Sequence, residues 1–588
     1  GVLCERDIMK AVSASTNAAS QDRVSGVAGG ALPASDFCNF LRRPDPRKGE
    51  VFGIQEPEAF KRALRKLAVA ISTRSHSFWD GAPLPNAEFA HQNPKVPAGY
   101  AFLLQLIAHD LVDTRRNAHL VGNLFFHQNA RAGRLQLETV YGDTPEQSQH
   151  VYEADAAHRA SWGAVRRTHF RLEPPRPPAQ RPANTRMCPF RDIARLTPGP
   201  YAPDADPLNS DLPSEPCIAD LRNDSSAMLS QLVVLFHQLH NTLFDCLAEK
   251  ASKPEATSEG AWAETLFNCT RDIVVTLYRR IILQDVLPRI LHPQIAEAYA
   301  GRQDLLPCDP MRVIPMEFSL GASRFAHAMI SNDYDFNGVG PIDMEQGLWR
   351  GSRRRPDLLP LEMNWLADWA RFFAVDGGPL NLSRRIGPSY PGPFSSFSLF
   401  PSAVPESAGL IYRDMIAGLD TGMWSVAPLI EALHDRYADQ KLHGLAALMK
   451  PYPSLWRDRI RDWLLTQPEL DLGHKITPAE ADLIANDPPL AFFVQFEAAV
   501  DPVGAGISRK TGQHLGPLGS AIIAETVYAM LLAQPVATDF RRPDLDGQFR
   551  DICGAYLGRP DALDGVFPAS PETMPAVLTF LKARGCFG

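Results

Sequence analysis

Residues 218–241 read IADLRNDSSAMLSQLVVLFHQLHN, and their spacing sets the fold class. From Met228 to Leu247, the apolar residues Leu229, Leu232, Val233, Phe236, Leu239, Leu243 and Phe244 recur at three- and four-residue steps. That is the period of one face of an α-helix. The same pattern runs through 100–112, 262–291, 318–330, 408–418, 426–434 and 519–533. Alternation of the β type is scarce and no repeat period emerges. The expected architecture is mainly α, one large helical domain with long loops.

The rest of the chain frames that expectation. With 588 residues, 45% hydrophobic and 21% charged, it has the balance of an ordinary globular protein. A formal net charge of −8 argues against nucleic acid or an anionic membrane as the main partner. No apolar run reaches the roughly 18 residues that span a bilayer. The stretch 519-GSAIIAETVYAMLLAQPVA is interrupted by Glu525 and reads as a buried helix. Residues 1–40 form an expected loose arm and 41–588 the folded domain. The 51 prolines gather between 174 and 216, a segment not expected to hold regular structure. No charged region followed by an apolar one marks residues 1–35 as a signal peptide. Nine scattered cysteines without a CxxC pair resemble neither a disulfide framework nor a cysteine zinc site. A reducing, cytoplasmic compartment is the expectation.

Three polar groups sit oddly in apolar surroundings. In 99-GYAFLLQLIAHDLVDT, Gln105 and His109 are four apart and share a helix face among Phe102, Leu103, Leu106 and Ile107. In 318-FSLGASRFAHAMISNDYDFN, Arg324 and His327 are three apart. Arg222 stands just before the 228–247 helix and needs an anionic or polar partner if buried. Singly, each has a plain structural reading: core histidines bonded to backbone carbonyls, and an arginine paired with Asp220 or Asp224.

Their order says more. The segments 93-NPKVPAGYAFLLQLIAHD, 134-RLQLETVYG, 220-DLRND, 240-HN, 317-EFSLGASRFAH, 378-GPLNLSRRIGPSYPGPF and 515-LGPLGSAIIAE resemble, in sequence order, the signatures of animal-type haem peroxidases in the peroxidase–cyclooxygenase superfamily. The resemblance is clearest over about 95–535, and a bacterial member is the expectation. It implies His109 as the distal histidine, Gln105 as its neighbour in the haem cavity and Arg222 as the catalytic arginine. It implies His327 as the proximal iron ligand, with Asn381 accepting its other ring N–H and Arg324 and Arg384 near the haem propionates. The implied activity is reduction of hydrogen peroxide and oxidation of small organic donors through a ferryl intermediate. His109 would move the peroxide proton, and Arg222 would stabilise charge as the O–O bond breaks.

Several positions depart from the family pattern. The carboxylates that carry ester links to haem in mammalian relatives are replaced by Ala108 and Ser225, so non-covalent haem b is expected. The resemblance also offers a calcium site, with Asp110 and Glu138 as its candidate ligands; the alternative reading is a helix-bonded Asp110 and a solvent-facing carboxylate at 138. The dioxygenase branch of the superfamily carries a tyrosine three residues before the proximal histidine; here that residue is Arg324, and Tyr334 reads as a loop aromatic. Peroxidase is therefore the leading reading. A fatty-acid or natural-product dioxygenase, and a catalytically decayed haem-binding protein, are the alternatives.

Overall fold

The structure, a computed structural model, describes residues 37–54, 57–72, 78–79, 91–118, 125–131, 134–154, 167–196, 215–300, 313–344, 361–395, 409–449, 451–452, 456–466, 475–500, 511–532 and 544–588. The expected arm at 1–40 lies almost wholly outside them. The helices used below are α1 (Pro57–Ala70), α2 (Ala98–Leu111), α3 (Ala227–Lys250), α4 (Glu259–Ile281), α5 (Gly409–Ile416), α6 (Leu490–Ala499) and α7 (Pro517–Leu532). The β structure among the described residues consists of short two-stranded pairs, so the mainly α expectation holds. No described helix is long and apolar enough to cross a membrane.

α3 is the axis of the core. The Ser226 hydroxyl caps its first turn by accepting from Leu229 N, and from Ala227 to His240 every residue is buried. A helix buried on all sides must find partners for its polar side chains. Gln231 donates to Arg191 O and accepts from Ala367 N, at 3.0 and 3.1 Å. His240 bridges Thr168 O and the Tyr141 hydroxyl, both at 2.9 Å. Asn241 clamps the backbone N and O of Phe170. The 240-HN signature is thus a stitch between α3 and the chain at 168–170.

Two helical expectations changed form. The 262–291 run is α4, then a π turn at Ile282–Val286 and a last α turn carrying Pro288. Proline has no N–H to give to the carbonyl four residues back, and the ladder shifts register ahead of it. The 318–330 run is a π turn (Glu317–Gly321) followed by a 3-10 helix (Ala322–Met329). Gly321 is needed there, because a Cβ would lie 2.6 Å from the Leu490 side chain of α6.

α2 starts where the strand Gln92–Pro97, paired antiparallel to Leu382–Arg384, runs out at Pro97. It packs against α3 and against the 3-10 helix that carries His327. α6 packs on that 3-10 helix too, and α5 packs on α6 and on α1. Tyr334, expected in a loop, is a buried residue of the strand Asp333–Asp335, and its hydroxyl accepts from Ser331 N at 2.7 Å.

Candidate active site

His109 lies in the last turn of α2, half-buried, with Gln105 one turn earlier on the same face. Its Nδ1 is 2.8 Å from Asn223 Oδ1. The Asn223 amide nitrogen donates to the carbonyl and hydroxyl oxygens of Thr139, at 3.1 and 2.9 Å. A carbonyl can only accept, so the amide orientation is fixed and Asn223 Oδ1 is an acceptor. His109 therefore carries its proton on Nδ1 and its lone pair on Nε2. Desolvation by burial, and then the neighbouring Arg222 charge, pull its pKa down to about 4. At neutral pH the imidazole is an uncharged base of defined tautomer.

Arg222 follows Asp220 in a 3-10 turn at Leu221–Asp224. Its Nη1 donates to Val112 O and one Nη2 hydrogen to His109 O, at 2.7 and 2.9 Å. These are end carbonyls of α2, where a cation is favoured. Nε and the other Nη2 hydrogen go to Asp220. Of the five N–H donors of a guanidinium, these bonds occupy four. The Asp220 pairing anticipated from sequence is real, and it coexists with closeness to His109. Burial raises the Asp220 carboxyl, but the bonds and charge of Arg222, with Arg131, outweigh it and hold the group far below the usual range.

The proline-rich segment supplies a brace. Arg195 forms a bidentate pair with Asp224 at 2.7 Å and also bonds Asp192 at 2.9 Å. The turn that carries Arg222 and Asn223 is thereby held from a part of the chain that had no readable role in the sequence.

The residues considered for calcium have protein partners in this structure. The Asp110 carboxylate is buried and accepts from Leu137 N and Thr139 N, at 3.0 and 3.2 Å. Burial lifts its pKa to about 6. Glu138 starts the short helical turn Glu138–Tyr141. Among the described residues no group of three His, Cys, Asp or Glu side chains could hold a metal ion.

On the other side, the expected partner of His327 is corrected. Its Nδ1 meets Asp414 Oδ2 of α5 at 2.6 Å, not Asn381. Asn381 accepts from Asp335 N and donates to the carbonyls of Asp335 and Arg371, which occupies its amide in holding a turn. Arg324 points to the same carboxylate, Nη1 to Asp414 Oδ1 at 3.5 Å, and Nε donates to Ser319 O. In a 3-10 helix residues three apart lie in one row, which is why Arg324 and His327 both reach Asp414. Arg384 is buried and donates to Ser389 Oγ at 2.7 Å. Arg324 and Arg384 thus both have protein partners in this structure.

The donor set nevertheless fits a haem iron. With Nδ1–H of His327 given to a carboxylate, the Nε2 lone pair is available to a metal, the arrangement common to histidine ligands. The helix bearing His109 packs directly on the segment bearing His327.

Asn223 and Asp414 were not singled out by sequence reasoning. Asn223 stood inside the quoted 220-DLRND. Asp414 had a weaker signal, a carboxylate among Ile411, Tyr412 and Met415 on a helix face that the apolar period marks as buried.

Comparison with known proteins gives the following. The family profile described as animal haem peroxidase matches residues 128–347. Human thyroid peroxidase is 27% identical over 212 residues, 34% of this chain and 19% of that protein, so the chain matches about a fifth of that relative's length. Among solved structures, peroxidase A from Dictyostelium discoideum aligns with a TM-score of 0.44 and 13% identity, covering 93% of this chain and 95% of that one. The fatty acid alpha-dioxygenase of Oryza sativa aligns with a TM-score of 0.49 and 11% identity, covering 89% and 81%. That of Arabidopsis thaliana gives 0.46 and 12%, covering 83% and 75%.

Proposed function

We propose that the chain, whose residues 128–347 match the animal haem peroxidase family profile, is a haem-dependent peroxidase that reduces hydrogen peroxide and oxidises small organic donors. The observation that carries the reading is the tautomer of His109. A neutral imidazole with Nδ1–H fixed on Asn223 and a free Nε2 lone pair is what abstraction of a peroxide proton requires.

His327 would hold the haem through Nε2, and haem, when bound, supplies the electron-transfer chemistry. His109 takes the proton from one peroxide oxygen and returns it to the departing one. Asn223 keeps the ring in the reactive tautomer throughout. Arg222 brings a positive charge beside His109; its Nη1, bonded to Val112 O and 3.9 Å from Asp113 Oδ1, would offer its remaining hydrogen to the oxygen that gains charge. Gln105, one turn from His109, would border the same space. Haem is proposed to be haem b held without a covalent link, given Ala108 and Ser225 at the ester positions. A single domain over 41–588 belongs to the same proposal. So does a cytoplasmic location, supported by the free thiols of Cys38, Cys188, Cys217, Cys246, Cys269, Cys553 and Cys586.

The test uses the haem-loaded full chain in two arms. Stopped-flow mixing with hydrogen peroxide should change the haem spectrum, and a phenol should restore it. Oxygen uptake with a polyunsaturated fatty acid and no peroxide should be absent. Oxygen uptake together with indifference to peroxide would overturn the reading in favour of a dioxygenase.

A further inference from the structure

We propose that Asp414 is the positioning residue that sets the charge on His327, and that Tyr390 and Gln495 restrain how strongly it does so. The inference rests on the reading of His327 as the iron ligand.

Four buried or half-buried groups from four parts of the chain form one line. Gln495 Nε2, on α6, donates to the Tyr390 hydroxyl at 2.8 Å. Tyr390 O–H donates to Asp414 Oδ2 at 3.1 Å. The same Oδ2 takes the His327 Nδ1 proton at 2.6 Å, while Oδ1 faces Arg324 at 3.5 Å. The Asp414 side chain is 1% exposed, as is appropriate for a strong charge-assisted bond shielded from water. The Tyr390 and Phe394 rings, 6.3 and 5.9 Å from the imidazole centre, wall the contact.

The line has a sense of direction. A carboxylate accepting Nδ1–H draws that proton toward itself and leaves more negative charge on the ring, and a more anionic ring favours the more highly charged state of a bound metal. An asparagine, which the resemblance implied, would do this more weakly because it is neutral. Tyr390 acts against Asp414: its hydroxyl gives a proton to the same oxygen and draws charge off it. Gln495 reinforces that by polarising the hydroxyl. The two residues therefore have opposite effects on His327, which a purely packing role would not produce.

The experiment takes the full chain, first without haem. With 15N-labelled histidine, the His327 Nδ1–H should resonate far downfield, move upfield in Asp414→Asn and further downfield in Tyr390→Phe. After loading with haem, spectroelectrochemical titration should show the reduced-to-oxidised ratio at fixed potential rising about tenfold in Asp414→Asn, about 59 mV for a one-electron couple. Tyr390→Phe should lower it. An unshifted Nδ1–H in the unaltered chain, or equal-sign shifts in the two variants, would overturn the proposal. Should Asp414→Asn fail to fold, the unaltered chain and Tyr390→Phe still decide. Failure to take up haem, or a haem spectrum unchanged in His327→Ala, would sink the ligand reading instead, and the measurements without haem would still judge the pairing.

Discussion

Replacing Asp220 by asparagine should destabilise the protein by about 3 kcal/mol. Asp220 Oδ1 accepts the backbone N–H and Nε–H of Arg222, at 3.0 Å each. Oδ2 accepts from Arg222 Nη2 at 2.6 Å, from Thr139 Oγ1 at 3.0 Å and from Arg131 Nη2. An amide offers one oxygen and one NH2. Whichever way it turns, two or more donors face a donor. Bonds to charged groups are worth about 1.5–3 kcal/mol each, and because the Arg222 side chain is 34% exposed the lower end applies. The assay is equilibrium urea unfolding followed by tryptophan fluorescence, with Thr139→Val as the comparison that removes two neutral-donor bonds, to Asp220 and from Asn223, and no charge. The pH dependence carries a sign. The folded carboxyl titrates below its unfolded value near 3.9. Its contribution is therefore present above that pH and lost as pH falls through the folded value. The gap between parent and variant should narrow below about pH 4. A cost under about 1 kcal/mol, or a gap indifferent to pH, would refute the reasoning.

Three further outcomes follow from the same geometry. Asn223→Leu strands the His109 Nδ1–H, and the reaction of the haem-loaded protein with peroxide should slow at least about tenfold; a parental rate in stopped flow would remove Asn223 from the site. NMR of His109 should show a midpoint near pH 4, not 6.5, so stability owed to its neutral form is lost as pH falls from about 6.5 toward 4. The peroxide step should accordingly be flat above about pH 5, and a midpoint near 6.5 would contradict the burial argument. Gly99→Ala would place a Cβ 2.6 Å from the Phe372 carbonyl oxygen and the Phe373 ring. It should cost about 1–3 kcal/mol by overpacking, reversing the usual gain of about 1 kcal/mol for alanine in a helix. A calorimetric scan showing equal or higher stability would refute it.

Local order in the chain determined the helices. The three- and four-residue apolar steps of 228–247 became α3, and those of 100–112, 426–434 and 519–533 fell within a residue or a few of the helices seen. Periodicity reports which face will be buried, and burial is what holds a helix. The order of the quoted segments likewise pointed to His109, Arg222 and His327, and the structure brings the first two together through the His109 carbonyl. Tertiary structure alone decided the partners. Asp414 lies 87 residues from His327 and Asn223 lies 114 from His109, separations at which sequence spacing holds no information about contact. Asn381 and Asp414 both carry oxygens that could accept an imidazole proton; the difference is that the fold brings Asp414 of α5 to His327, whereas the Asn381 amide is spent on the backbone of Asp335 and Arg371. The surroundings of Asp110 were decided in the same way. A carboxylate at position 110 is legible in the sequence, but whether its oxygens meet a cation or two amide hydrogens depends on how the 134–139 segment folds over it.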